Sequence, residues 1–390
     1  MPGQKKKLQK KVSVSGHTIG RARFAKISAV EGITMSASML KRARTSAAKG
    51  LSAEETRKLI IRQTGCGLKG EFTVHDPQTL SEAIRYYSNE QTCIDLLASL
   101  RWPDGQVVCT ACGEIGNTIW LANQRRWKCR GCKKQFSIKV GTIMEDSPIA
   151  LDKWMVAFWM LANCRNGVSS YEIKRAIGVS QKCIWHMLHR IRLAMTDIVA
   201  EKFGGNGPIE IDETFVGGKV KNMHKSRRIR NLNYQGGNSK AIVMGMLERV
   251  GRVRARVITD RKLEHMRPVL DGNIERGAHV ITDEHASYPF LAKENEYAHE
   301  VIKHIEGYVR DHIHTNGIEN FWSCLKRSLG GTYVSVEPFH LDAYVNEQVF
   351  RFNLRKQENT DASRFKAALK DIVGRKLTYA ELTGRLNPAA

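Results

Sequence analysis

The stretch "PIEIDETFVGGK" (208–219) sets three carboxylates, Glu210, Asp212 and Glu213, within four residues of a chain whose formal charge is +23. Ile209 and Ile211 alternate with Glu210 and Asp212, the period of a strand with one buried face. Two more acids stand on apolar elements further on: Asp283 closes the run "AHVITD", and Glu319 lies in "HTNGIENFWSCLKR". Phosphoryl transfer with two divalent cations needs carboxylates from separate elements, converging so that the ions stand roughly 3.5–4 Å apart. Strand-end acids and an abutting helix can supply them. Any one strand-end acid alone is more often solvated surface. The neighbours Glu210, Glu213 and Glu284 are expected to point elsewhere or to support the site.

The helix expected around Glu319 carries its own pattern. Asn316 and Glu319, three apart, share a face. Lys326, seven beyond Glu319, returns to it after almost two turns and offers a cation for a phosphate. Phe321, Trp322 and Leu325 lie on other azimuths and are expected to bury the helix.

Four thiols form a second constellation. "CTAC" (Cys109, Cys112) and "CRGC" (Cys129, Cys132) are two CxxC knuckles separated by 16 residues. They suit a closed tetrahedral site for a structural Zn²⁺. Unligated core cysteines or a redox dithiol would not require so regular a spacing. "TIWLANQRRWKC" between the knuckles reads as a hairpin with Trp120 and Trp127 against the site, and "KKQFSIKVGTI" as a further strand. Arg125, Arg126, Lys128, Arg130, Lys133 and Lys134 make this ribbon a candidate for contact with DNA.

"LANCRNGVSSYEIKRAIGVSQKCIWHMLHRIRLAM" (161–195) reads as a helix, a turn at 177–180 and a second helix capped by Ser180. If the second helix enters a major groove, Gln181, Lys182 and His186 face DNA while Ile184, Leu188 and Ile191 pack inward. An ordinary helical hairpin has the same pattern.

These parts need a scaffold. The 390 residues suffice for two or three domains, and 42% are hydrophobic. The longest apolar run, "WMVAFWMLA" (154–162), is too short to span a membrane, and "MPGQKKKLQKK" lacks the apolar stretch of a secretory signal. Nine cysteines, four of them in CxxC pairs, point to reduced thiols rather than a disulfide framework. Lys and Arg outnumber acids 62 to 39, an excess that favours a polyanionic partner through counterion release. Residues 1–12 read as a lysine-rich arm and 13 to about 70 as short basic helices, one of them opened by Ser52 with Glu55. Residues 73–105 read as two helices closed by the turn at 103–105. "FGGNGP" (203–208) reads as the linker where the texture changes from helices to strands. The strands "IEIDETFVGGK", "AIVMGMLER", "RVRARVITD" and "AHVITDEH", with a helical pattern in "LEHMRPVLDGNI", imply a mixed sheet flanked by helices. Mostly helix follows over 314–354, and again near 361–384.

The order zinc ribbon, helix-turn-helix, "IEIDETFVGGK", "VITDEHASY", "HTNGIENFWSCLKR" and "YVNEQVFRFNLR" resembles bacterial insertion-sequence transposases of the DDE superfamily, in the subgroup with an N-terminal zinc ribbon. The resemblance covers about residues 80–355. It implies a multidomain α+β chain: a basic extension (1–75), a zinc ribbon region (76–142), a helix-turn-helix (143–203), an RNase H-like α/β catalytic domain (208–355) and a helical tail (356–390). It further implies Asp212 and Asp283 as metal-binding aspartates, with a third ligand, Glu319 or Asn316, on the 314–327 helix. Glu319 is favoured because its separation from Asp283 and from Lys326 suits the wider superfamily. Two Mg²⁺ ions, replaceable by Mn²⁺, would assist end cleavage and strand transfer. The implied partners are double-stranded DNA, both element ends and target, met by a homodimer or larger assembly in the bacterial cytoplasm at the nucleoid. The alternatives are a DNA-binding regulator derived from a transposase, with no catalysis, and a nuclease of the same fold that does not join strands.

Overall fold

The computed structural model describes residues 76–196, 201–218, 240–249, 251–283, 297–302, 314–356 and 359–385. The expectations for residues 1–75 and for Glu284 lie outside them.

The chain enters through α1 (Leu80–Tyr87), opened by a Thr79–Glu82 capping box, and α2 (Glu90–Arg101), capped by Asn89. After the turn at Gly105, a three-stranded antiparallel ribbon forms from β1 (Thr118–Leu121), β2 (Arg126–Cys129) and β3 (Gln135–Phe136). Trp127 of β2 packs on Trp120 at 4.5 Å and on Trp102, just past α2, at 5.2 Å. The third strand is only two residues long. Turns at Ser137–Val140 and Lys139–Thr142 end it, so "SIKVGTI" does not continue as a strand.

The apolar run becomes α3 (Leu151–Asn163), buried on most of its surface and central to the first core. Then come α4 (Ser170–Ile177), opened by a Ser169–Glu172 capping box and closed by Gly178, and α5 (Gln181–Ala194), whose N-cap Ser180 accepts the Cys183 N–H. Ile184, Leu188 and Ile191 are fully buried.

The five-stranded sheet is built from β4 (Ile209–Val216), β5 (Ala241–Glu248), β6 (Val253–Ile258), β7 (His279–Asp283) and β8 (Ala298–Ile302), in the order β6-β5-β4-β7-β8. β5 runs antiparallel to both β4 and β6, while β7 pairs parallel with both β4 and β8. The sheet is thus an antiparallel meander extended by parallel strands beside its first member, mixed as expected. α6 (Leu263–Asn273) carries the chain from β6 to β7 and buries Met266 and Leu270 against Ile209, Ile211, Met244 and Met246. On the other face α7 (Asn316–Ser328) and α8 (Leu341–Asn353) cover Val243, Leu247, Val253 and Ala255. β8 was not foreseen: "AHEVI" is short and half polar, as suits an edge strand.

Two expected boundaries shift. The glycine-rich 203–208 segment is docked on the sheet rather than free. Phe203 is buried in the α6 core and exchanges backbone bonds with Asn273 and Glu275, while the Gly204 and Asn206 N–H groups donate to Glu248 at 3.0 Å. Nor is the C-terminal region an appendage. α9 (Asp361–Lys370) inserts Phe365 and Leu369 into the first core, with the Phe365 ring 5.2 Å from both Tyr87 and Trp159. Its continuation pairs with the ribbon's exit, Ile143 N–H donating to Ile372 O, and reaches α10 (Tyr379–Leu382).

The chain end therefore completes the core formed by residues 83–195. Phe365→Ala, which opens a cavity between α1 and α3, is expected to cost about 3–5 kcal/mol. Urea unfolding checks this, followed by tryptophan emission and by cleavage between residues 76 and 196. A cost below 1 kcal/mol would mean the C-terminal helix is only peripheral.

Candidate active site and metal centres

The parallel pairing of β4 with β7 opposes Ile209 to Val280 and Glu210 to Ile281. Two residues beyond that pairing stand Asp212 on β4 and Asp283 on β7, on the same face by strand alternation, and the Asp283 charge acts on Asp212. Glu319 approaches from α7, which packs on that face, and its charge acts on Asp212. The Asp212 carboxyl is pushed up to about 6, chiefly by burial and further by the charges of Asp283 and Glu319. The Trp322 and Glu213 N–H groups pull against this. Mutual repulsion among hard oxygen donors is what a divalent cation offsets, so the set fits Mg²⁺ or Mn²⁺ chemically. Its ligand atoms spread wider than the 4.8 Å within which the cysteine thiols gather.

Two supporting contacts were not read from the sequence. Trp322 Nε1–H donates to Asp212 Oδ2 at 2.9 Å, and Glu213 N–H to Oδ1 at 2.8 Å, so both carboxylate oxygens are held. Trp322 can lie this close because Gly245 stands opposite Asp212 on β5. A Cβ there would come within 2.6–2.7 Å of the indole. A buried Trp needs a partner for its N–H, and that rule singles out Trp322 as more than packing.

Glu210 is the other. Strand alternation puts it on the face of Asp212, not elsewhere. Fully buried, its carboxylate accepts from Arg249 Nε at 2.8 Å and from the Ile318 N–H at 2.9 Å. It thus caps the first turn of α7, where Thr315 makes no side-chain cap bond. Arg249 also donates to His314 O at 2.6 Å, fixing the approach to the helix.

Asn316 opens α7 and is exposed, sharing the Glu319 face. Lys326 is exposed in the last turn of the helix. Asp260, Glu264 and His265 also gather within 4.8 Å at the start of α6. There Lys262 Nζ lies 3.6 Å from Asp260 and 3.5 Å from Glu264, so this is a neutralised surface cluster.

The four thiols of Cys109, Cys112, Cys129 and Cys132 converge, with Sγ–Sγ distances of 3.6 Å for Cys109–Cys132 and 3.7 Å for Cys112–Cys129. A tetrahedron with Zn–S bonds of 2.3 Å has edges of about 3.8 Å, so the cage fits zinc closely. Around it Arg126, Arg130, Lys133 and Lys134 are exposed, while Arg125, also exposed, pairs with Glu90.

The face of α5 expected to read DNA is partly occupied. Gln181 Nε2 donates to Ser170 Oγ at 2.9 Å, and the Lys182 ammonium sits 4.7 Å over the Tyr379 ring. His186 is half-buried, with Nε2 3.0 Å from Leu377 O and its ring against Tyr379. The C-terminal strand-like segment and α10 therefore cover His186. Lys182 and Cys183 in the first turn remain exposed.

Residues 205–353 match the ISXO2-like transposase domain family, and residues 88–135 a transposase zinc-ribbon domain. An uncharacterised protein in transposable element ISH50 of Halobacterium salinarum is 26% identical over 283 residues, 69% of this chain and 94% of that protein. An uncharacterised transposase-like protein of Haemophilus influenzae is 31% identical over 86 residues, 22% of this chain and 68% of its own length.

Two outcomes are expected. Because burial and like charge raise the Asp212 pKa from 3.8 to about 6, its stabilising contribution is present below pH 3.8 and lost as pH rises through 6. At about 1.4 kcal/mol per pH unit the loss is at most about 3 kcal/mol. In chelator at pH 7.5, Asp212→Asn should thus melt higher than wild type, the gap closing near pH 4, while Mg²⁺ should raise the melting temperature of wild type only. A lower-melting variant in chelator would contradict the raised carboxyl. For the ribbon, elemental analysis should find one zinc per chain, and Cys129→Ser should lose it with a red shift in emission from Trp102, Trp120 and Trp127. Full-length protein free of zinc with unchanged emission would remove the metal from the fold.

Proposed function

The chain belongs to the insertion-sequence transposases that carry an ISXO2-like transposase domain behind a zinc ribbon. From that premise we propose that it binds the terminal inverted repeats of its own element, cuts the DNA at those ends and joins the freed 3′-hydroxyl to target DNA. The observation that supports this reading is that the charges of Asp283 and Glu319 both act on Asp212, from a strand paired in parallel with β4 and from the helix above it.

In the first step a water oxygen bonds to the phosphorus at the element end and the P–O3′ bond breaks, leaving a 3′-hydroxyl on the element and a 5′-phosphate on the flank. In the second that hydroxyl bonds to a target phosphorus, and the target's own P–O3′ bond breaks. Divalent cations held by Asp212, Asp283 and Glu319 would supply Lewis-acid activation of the entering oxygen and charge stabilisation at the leaving one. The chain's own groups prepare the site. Trp322 and the Glu213 amide fix both Asp212 oxygens, so the carboxylate needs no reorientation during the reaction. Glu210 holds the first turn of α7, and with it Glu319, against β4. Lys326 offers a cation to the DNA backbone along the same helix.

End recognition falls to the exposed basic residues of the ribbon, Arg126, Arg130, Lys133 and Lys134, and to the first turn of α5 with Gln181 and Lys182. Both ends of an element must be processed together, so two or more chains act on the DNA at once.

The test uses purified full-length protein, duplexes carrying the element ends, a plasmid target and Mg²⁺. Wild type should nick the ends and form joined products. Asp283→Asn should bind the ends with unchanged affinity and lose at least 10³-fold in both steps. Nicks without joints would favour a nuclease, and binding without cutting by wild type a regulator. Equal joining by wild type and Asp283→Asn would displace the active site.

A further inference from the structure

One buried charge network joins the helix-turn-helix to the catalytic helices. Its centre is Glu347 of α8, fully buried. The Glu347 carboxylate accepts from Arg192 Nε of α5 at 2.6 Å, from the Tyr333 hydroxyl at 2.5 Å and from Arg351 one turn along its own helix. The Arg192 guanidinium, also fully buried, lies 4.0 Å over the ring of Tyr344 and 5.1 Å over that of Tyr333. Tyr333 belongs to the π-helical turn Leu329–Tyr333 that closes α7, the helix of Glu319 and Lys326. Beside it Ser328 Oγ donates to Asn166 O at 2.9 Å, in the loop before α4. That loop needs Gly167, at φ +82°, because a Cβ there would collide with the Tyr333 hydroxyl.

A single carboxylate therefore touches the helix of the reading module and both helices that cover the catalytic sheet. Stability alone does not explain it. One carboxylate against two guanidiniums leaves a surplus positive charge in the interior, and apolar side chains of similar volume commonly do as well or better. What apolar contacts lack is direction. The Glu347 carboxylate can accept from Arg192, Arg351 and Tyr333 together in one relative placement of α5, α7 and α8, whereas an apolar interface tolerates sliding by a fraction of a turn. A carboxylate in the same place is a registry device.

We propose that Glu347 is a positioning residue that locks α5 in register with α7 and so sets the distance between the end sequence that is read and the phosphodiester that is cut. The proposal rests on the transposase reading above. Its chemistry is separate from the metal site, since Glu347 touches neither DNA nor the acids on β4 and β7.

The test compares wild type with an apolar triple variant, Arg192→Met with Glu347→Leu and Arg351→Met, and with Glu347→Asp, which keeps the charge but withdraws it by one methylene. End duplexes are incubated with each protein and Mg²⁺, cut positions are mapped to the nucleotide, and footprints are taken in Ca²⁺, which supports binding without requiring chemistry. Wild type should cut at one phosphodiester. Both variants should bind the ends within about threefold of wild type, spread their cuts over several neighbouring positions, and still join a pre-cut 3′-hydroxyl end to target. In the footprint, the boundary on the catalytic side should blur while the side held by α5 and the ribbon stays sharp. Should the triple variant fail to fold, Glu347→Asp gives the same two readings. Wild-type cut positions with a sharp boundary in a folded variant would overturn the proposal and leave the network as packing. A wild type that binds sharply but never cuts would overturn the transposase reading instead, and the footprint boundary alone would then decide the register proposal.

Discussion

The sheet half of the chain depends on holding like charges together. The charges of Asp283 on β7 and of Glu319 on α7 both act on Asp212 of β4. Left to flexible segments, three such carboxylates would move apart into water. Here two belong to strands that pair in parallel just before them, and the third to a helix packed on β4 and β5. The cost of the arrangement shows at Asp212, where burial and the neighbouring charges disfavour ionisation. It is met by rigidity around the site: the Trp322 bond, the Glu213 amide, and the glycine opposite that lets the indole lie against the sheet.

Glu210 and Asp212 sit two residues apart on one face of one strand, yet their surroundings give them different work. Glu210 is enclosed by donors, the Arg249 guanidinium and the first-turn amide of Ile318, so its charge is satisfied and it acts as a fastening. Asp212 is set beside an indole and other acids, so burial and like charge disfavour its ionised form. Residue type could not separate them, because both are carboxylates on a core strand. Partners did.

The legible parts of the sequence were those whose signal is local. Two CxxC knuckles, the alternation of β4, the apolar run of α3 and the Ser180 cap all lie within a few turns of chain, and each element stands where its pattern placed it. Asp283 does end its strand as the apolar run before it suggested, whereas Asp212, expected to close its strand, lies inside β4, which continues to Val216. What escaped was non-local. Gly245 matters only because β5 pairs with β4 and α7 lies above both. The covering of His186 by Leu377 and Tyr379 depends on a segment 191 to 193 residues away folding back. β8 was missed because an edge strand needs neither an apolar face nor length. The glycines of 203–208 suggested freedom, but Phe203 inside that stretch supplied the anchor that docks it.

That return of the chain end changes what a domain is in this protein. The core around α3 is built from residues before the sheet and from α9 after it, so the sheet is inserted into the N-terminal helical unit rather than appended to it. An appended domain hangs on one connection and swings by default. An inserted one is tied at both ends, and here the two connections flank a buried interface in which α5 packs on α8 through Arg192 and Glu347. Large rotation between the halves would have to expose a fully buried guanidinium and carboxylate together, a cost that neither connection could recover. The relation between the helix pair α4–α5 and the sheet is therefore a property of the folded chain itself.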